Sequence, residues 1–265
     1  MAALDRIAVL LTLPRTLGLD PGSTSTRVFL KSGDFEIAVG TQQQNDNCRY
    51  NAGEFSSSCY IFDNKGSCYL GNEVDNDRVA TSIKPIFLLL SDIEASVLEP
   101  LMHQYPHGDK LLGLRKDRAF LKKLNKVLDA FFNTLRDRVL RVCNDHDLRI
   151  TMAGIALPTQ WPAEVEVFLG DVLQKTLLKT HALIRVPRGG IFFHGETQAL
   201  GHCILKACAG KLLPRGTKSG TFLIADFGGQ NLVSLAIVTL VYGPYLTNSS
   251  TLEHVHFLHT DLAYW

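Results

Sequence analysis

Thr16-Leu17-Gly18-Leu19-Asp20-Pro21-Gly22-Ser23-Thr24-Ser25-Thr26 is the stretch on whose reading the fold depends. An apolar strand runs into Asp-Pro-Gly and a cluster of hydroxyl residues, and Arg27-Val28-Phe29-Leu30 resumes as a second strand. Pro21 presets φ and Gly22 supplies a positive φ, which predicts a tight turn at Asp20. The flanking strands, over about residues 16–31, then pair as a hairpin. Such a turn points backbone N–H groups and hydroxyls at one spot, so Gly22, Ser23, Thr24 and Ser25 form a candidate cradle for phosphate oxygens. Asp20, at the strand end, is placed to hold a hydrated Mg2+ beside that phosphate.

The same device recurs far along the chain. Thr221-Phe222-Leu223-Ile224-Ala225-Asp226-Phe227-Gly228-Gly229 is again a strand entering Asp-x-Gly, with a further strand at about residues 231–241. Two strand-embedded Asp-Gly hairpins read as two halves of one phosphate clamp. Asp226 is the second metal-binding and catalytic carboxylate, and Gly228 and Gly229 are its phosphate-facing glycines.

Between and around these hairpins the chain alternates strands and helices. Residues 1–15 read as a leader. Phe35-Glu36-Ile37-Ala38-Val39 alternates like a third strand, and residues 41–51 are Gln/Asn-rich, a loop or insertion edge. Short strands are expected at about 58–62 and 67–70, joined by the turn signal Asp63-Asn64-Lys65-Gly66. Residues 86–112 read as helix broken by Pro100, Pro106 and Gly108. Over 117–143 the residues Phe120, Leu121, Leu124, Val127, Leu128, Phe131, Leu135 and Val139 recur at three and four, one apolar stripe of a helix. Its basic neighbours Arg115, Lys116, Arg118, Lys122, Lys123 and Lys126 read as a solvated face rather than a nucleic-acid surface. A strand at 150–157 leads to a helix at 163–179, with Val165, Phe168, Leu169, Val172, Leu173 and Leu177 inward. Short strands at 184–186 and 191–193 precede a helix from Glu196 to Ala209, which Gly210 ends as a C′ residue. Strands followed by helices laid over them make the class α/β with a mixed sheet.

The totals exclude several function classes. The chain has 265 residues, 46% of them apolar and 20% charged, and a net charge of +1. That balance favours neither nucleic acid nor an acidic membrane as partner. Six cysteines form no C-x-x-C pair and read as reduced thiols. Ile7-Ala8-Val9-Leu10-Leu11-Thr12-Leu13 has the look of a short signal-peptide core, but Asp5 precedes it and no small-residue cleavage site follows. No run approaches the ~18 apolar residues of a membrane span. A soluble, cytoplasmic protein is the expectation. His254, His256, His259 and Asp261 near the end form a conceivable metal cluster, with a solvated tail as the plainer reading.

Leu19-Asp20-Pro21-Gly22-Ser23-Thr24 resembles the first phosphate motif of the actin-like ATPase superfamily, and Ile224-Ala225-Asp226-Phe227-Gly228-Gly229 resembles the second. Within it the chain is most similar to the 70-kDa heat-shock chaperone (DnaK-type) family. Phe55-Ser56-Ser57-Ser58-Cys59-Tyr60-Ile61 and Leu70-Gly71-Asn72-Glu73 resemble that family's P-S-x-V … x-I-G-x-x-A segment. Ala80-Thr81-Ser82-Ile83-Lys84 stands where the family has its catalytic lysine. Ile155-Ala156-Leu157-Pro158 resembles its V-T-V-P strand and Gly195-Glu196-Thr197-Gln198-Ala199 its N-E-P-T-A-A helix start.

The resemblance implies an actin-like ATPase (ribonuclease H-like) fold. Lobe I would span 16–215, with an inserted subdomain at about 40–112, and a truncated lobe II would begin at 219–265. It implies ATP and Mg2+ as cofactors, and protein clients or co-chaperones as partners. Lys84, Glu196 and Asp226 become the catalytic candidates: Lys84 to neutralise the γ-phosphate, Glu196 and Asp226 to hold water or metal. Read without the resemblance, a lone lysine is a surface charge, and an acid in a helix's first turn simply complements the dipole.

The departures bear on turnover. Gln230 and Asn231 replace a glycine and a threonine of the family, and Val233 stands where it places a second, water-positioning aspartate. No adenosine-binding glycine loop or peptide-binding domain is recognisable. The sequence therefore reads as a chaperone-like ATP-binding protein whose hydrolysis is weak or lost. The alternatives are a non-hydrolysing scaffold and, behind it, a sugar or acetate kinase relative.

Overall fold

A computed structural model describes residues 15–33, 35–40, 54–60, 69–70, 81–212, 219–227, 233–241 and 254–259. It is a mixed α/β structure in two compact units, Met1–Phe193 and His194–Trp265.

The first unit is built on the hairpin. Strand β1 (Arg15–Pro21) and β2 (Ser25–Ser32) pair antiparallel, with Leu17 opposite Leu30 and Leu19 opposite Val28. Strand β8 (Met152–Leu157) lies parallel to β1 on its other side, Leu17 beside Ala153 and Leu19 beside Ile155. All six side chains are buried. Because strand side chains alternate, these rows form one apolar face across three strands. Strand β3 (Phe35–Ala38) and β4 (Glu54–Ser56) share the outer edge of β2, β3 against residues 29–32 and β4 against residues 25–27. With β9 (Ile191–Gly195) beyond β8, the order is β3-β2-β1-β8-β9. A small second sheet places β5 (Ser58–Tyr60) between β6 (Tyr69–Leu70) and β7 (Thr81–Ser82).

Helix α1 (Lys84–Leu90) follows β7 directly, and Lys84, Pro85, Ile86, Phe87, Leu88 and Leu89 are all buried. A helix apolar on every side belongs in a core. α1 packs against α2 (Ala95–Met102), α3 (Gly108–Gly113), α4 (Arg118–Asp145) and α5 (Ala163–Lys175). The Phe87 ring stacks on Phe132 at 6.1 Å and meets Trp161 edge-on at 6.2 Å. α4 matches the predicted stripe, with Phe132 and Cys143 added and Phe120 and Leu121 only half-buried. Asp117 caps it, its carboxylate accepting from the N–H of Ala119 and Phe120. Lys122 and Lys126 are exposed, the solvated face that was expected.

Four local expectations are corrected. Pro100 does not break α2: it lies inside the helix, and both Pro100 and Ser96, whose carbonyl it leaves without a helical donor, are exposed to water. Gly108 begins α3 rather than merely interrupting the chain, and a Cβ on it would lie 1.8 Å from the Met102 carbonyl oxygen. α5 ends at Lys175, not 179; Leu178 N–H closes back on the Leu173 carbonyl at 2.7 Å, and Arg136 donates to the carbonyls of Thr176 and Lys179. Gly210 does not end its helix, because α6 runs from Glu196 to Leu212.

In the second unit α6 packs on β10 (Ser219–Phe227) and β11 (Val233–Val241). β11 is the middle strand of an antiparallel sheet, between β10 and β12 (His254–His259). His254, His256 and His259 belong to β12, paired with β11. The leader, the 41–51 loop and the Asp63–Gly66 turn lie outside the described residues.

Candidate functional site

The first hairpin turn differs from the expected one in two ways. Strand β1 continues through Pro21, which is buried and sits opposite Thr26, so the chain turns at Gly22-Ser23-Thr24 rather than at Asp20. Proline is tolerated there because a strand's last residue needs no ladder N–H. Gly22 is also not in the left-handed region, which Gly33 occupies instead with φ of 61°. What demands glycine is close approach: a Cβ on Gly22 would lie 2.4 Å from the Ser25 carbonyl oxygen. Its N–H is directed back to the Asp20 carbonyl at 3.0 Å. Backbone donation from this turn thus falls to its later residues. Thr24 is exposed, Ser23 half-buried and Ser25 buried, so Ser23 and Thr24 present the turn's outermost hydroxyls.

Beneath the turn lies a polar interior. Thr26, Ser57, Thr81 and Ser82 are almost fully buried, at 0–2% exposure. Thr26 and Ser57 share a hydroxyl hydrogen bond of 2.7 Å. The Ser57 N–H donates to the Thr24 carbonyl at 3.0 Å, and the Ser57 carbonyl accepts from the Ile83 N–H at 3.0 Å. This two-step ladder links the first hairpin's turn, through Ser57, to Ile83, the residue before Lys84, across some 60 residues of sequence. Lys84 is 4% exposed, so the plain reading of a surface charge does not hold. Ser82 Oγ is buried and has no hydrogen-bond partner among the described residues. A buried unpartnered hydroxyl is costly, and its usual remedy is a polar guest or water.

Asp20 is engaged. It faces Arg27 across the β1–β2 pair, Oδ2 to Nη1 at 3.5 Å, and Arg27 Nε also reaches Glu54 Oε1 at 3.0 Å. Sequence reasoning missed Arg27, Glu54 and Ser57. Arg27 was findable, since Asp20 and Arg27 are equidistant from the centre of the turn; the other two join through pairing that no local pattern shows.

The second hairpin also forms. Asp226 is the penultimate residue of β10, as Asp20 is of β1, and it pairs in register with Ser234, while Phe227 pairs with Val233. Gly228, Gly229, Gln230 and Asn231 lie outside the described residues. Glu196 is half-buried in the first turn of α6, a position that complements the helix dipole and leaves its catalytic role a proposal.

Other candidate groups are structural in character. Cys59 and Cys143 are buried cysteines outside any disulfide, and burial pushes the Cys143 thiol up to about 11, with Arg15 acting in the opposite direction. Among the described residues there is no cluster of three metal-ligating side chains. Nor is any helix among them long and apolar enough to cross a membrane. The sequence matches no protein-family model and no curated protein.

Proposed function

We propose that the chain is a heat-shock-chaperone-like member of the actin-like ATPase superfamily that binds the polyphosphate end of a nucleotide at its first hairpin. The observation that carries this reading is the ladder Thr24–Ser57–Ile83, which ties a hydroxyl-rich turn to the residue before a buried lysine. Ser23 and Thr24 would take phosphate oxygens, and Lys84 would balance their charge. Mg2+, when bound, would supply the remaining charge neutralisation, with Asp20 as its ligand from the first hairpin. Val233 stands where the resembled family has a water-positioning carboxylate. Loss of one water-positioning or general-base group costs roughly 10²–10⁴-fold in rate. Binding with little or no turnover follows, with adenine and ribose contributing little.

Calorimetry with Mg-ATP and Mg-GTP tests this. The expected Kd lies well above ~1 μM for both, with less than about a tenfold preference, equivalent to ~1.4 kcal/mol. Absence of binding to both nucleotides and to inorganic tripolyphosphate sinks the reading. In a single-turnover assay wild type and Asp20→Asn should release phosphate equally slowly. Clear release that Asp20→Asn abolishes would mean that Glu196 or Asp226 aligns the water without help from position 233.

A second reading, a non-hydrolysing scaffold acting through protein clients or co-chaperones, draws support from the engagement of Asp20 by Arg27. The calorimetry separates the two. A sugar or acetate kinase would instead require a phosphate acceptor that stimulates turnover.

A further inference from the structure

Three charged residues stand in one row across three neighbouring strands. Asp20 on β1 is directly opposite Arg27 on β2, and Arg27 is directly opposite Glu54 on β4. The backbone register fixes this row, because residues directly opposite one another in an antiparallel pair share a face of the sheet. The two ends of the bridge are unequal. Arg27 Nε meets Glu54 at 3.0 Å, and Glu54 is only 14% exposed, whereas Nη1 stands 3.5 Å from an Asp20 that is 35% exposed. The contact to Glu54 is the shorter and the more buried of the two.

We propose that Arg27 is a built-in occupant of the Asp20 carboxylate, so that the first hairpin takes a divalent cation only together with phosphate oxygens. The proposal rests on the phosphate reading above and adds the order in which charge enters that site. Two carboxylates and one guanidinium sum to a single negative charge, a poor host for a bare dication that must also stand beside Arg27. A half-exposed pair is itself weak. A phosphate seated at Ser23 and Thr24 adds negative charge at the turn that follows Asp20, so the cation gains ligands while Arg27 stays on Glu54. Arg27 thereby suppresses idle metal binding and couples metal to phosphate.

The test uses the full chain and Mn2+ alone, titrated by electron paramagnetic resonance, followed by Mn2+ with inorganic tripolyphosphate. Arg27→Gln is expected to bind Mn2+ about tenfold more tightly than wild type, the order of one removed like-charge neighbour at close range. Arg27→Lys, which keeps the charge, stays near wild type. Adding Asp20→Asn to Arg27→Gln removes the gain, and adding Glu54→Gln leaves most of it. Tripolyphosphate raises the Mn2+ affinity of wild type by about tenfold more than that of Arg27→Gln. An Arg27→Gln protein with wild-type or weaker Mn2+ affinity overturns the proposal, as does a gain that follows Glu54 instead of Asp20. If Arg27→Gln gains affinity as expected but tripolyphosphate fails to bind wild type even with Mn2+, the phosphate reading is overturned and only the coupling falls with it. Urea midpoints measured alongside separate these outcomes from loss of the hairpin itself.

Discussion

Gly22→Ala is the sharpest test of how the first hairpin's turn is built. The new Cβ would stand 2.4 Å from the Ser25 carbonyl oxygen, far inside the ~3.5–4.0 Å at which heavy atoms attract. The obstacle is backbone, so it cannot rotate away, and the turn must open by about 1 Å to clear the contact. Overpacking of this kind costs about 1–3 kcal/mol. For a unit the size of the first one, each kcal/mol lowers Tm by about 2–4 °C, so a fall of about 2–12 °C is expected in a thermal melt followed by circular dichroism. Tripolyphosphate affinity should drop further than stability, because opening the turn moves Ser23 and Thr24. Two controls sharpen the inference. Gly154→Ala on β8 has no atom within 4 Å of its new Cβ and should melt within about 2 °C of wild type. Gly22→Asn should be no better than Gly22→Ala: asparagine relieves a left-handed backbone but not a steric contact. A Gly22→Ala protein as stable as wild type, or one rescued by asparagine, refutes the close-approach argument.

Lys84→Met should lower tripolyphosphate affinity at least tenfold, or about 1.4 kcal/mol, by calorimetry. Phe132→Ala removes a fully buried ring stacked on Phe87 and should destabilise by about 3–5 kcal/mol in urea unfolding. Asp117→Ala deletes the acceptor for two N–H groups at the start of α4 and should cost about 1 kcal/mol, with Asn retaining most of it. Cys143 should resist iodoacetamide in the native protein while exposed Cys203 is alkylated. Its thiol is raised from 9.0 to about 11 on folding, so its contribution to stability is complete below pH 9 and is lost as pH climbs toward 11. The slope there is at most about 1.4 kcal/mol per pH unit, readable from urea midpoints at pH 8–11.

Much of this molecule was legible locally. Alternation and turn chemistry marked β1, β2 and β3, periodicity marked α4 and α5, and Asp-x-Gly marked both hairpins, because each depends on residues within a few positions of one another. The failures also have local causes. Gly22 was assigned a positive φ since sequence cannot distinguish a glycine needed for conformation from one needed for clearance. Pro100 and Gly210 were read as breakers on intrinsic propensity, which a solvated carbonyl or a packed helix overrides. Tertiary structure alone decided the rest. Lys84 became a buried residue tied to the first hairpin because β4 pairs with β2, β5 pairs with β7, and Ser57 between β4 and β5 bonds both Thr24 and Ile83. Asp20, Arg27 and Glu54 became one electrostatic unit because register, a property of strands meeting across some 30 residues, sets which charges stand opposite one another. Local sequence determines which residues are able to turn, cap or hide; long-range pairing determines which of them meet, and the chemistry of a site is a matter of which groups meet.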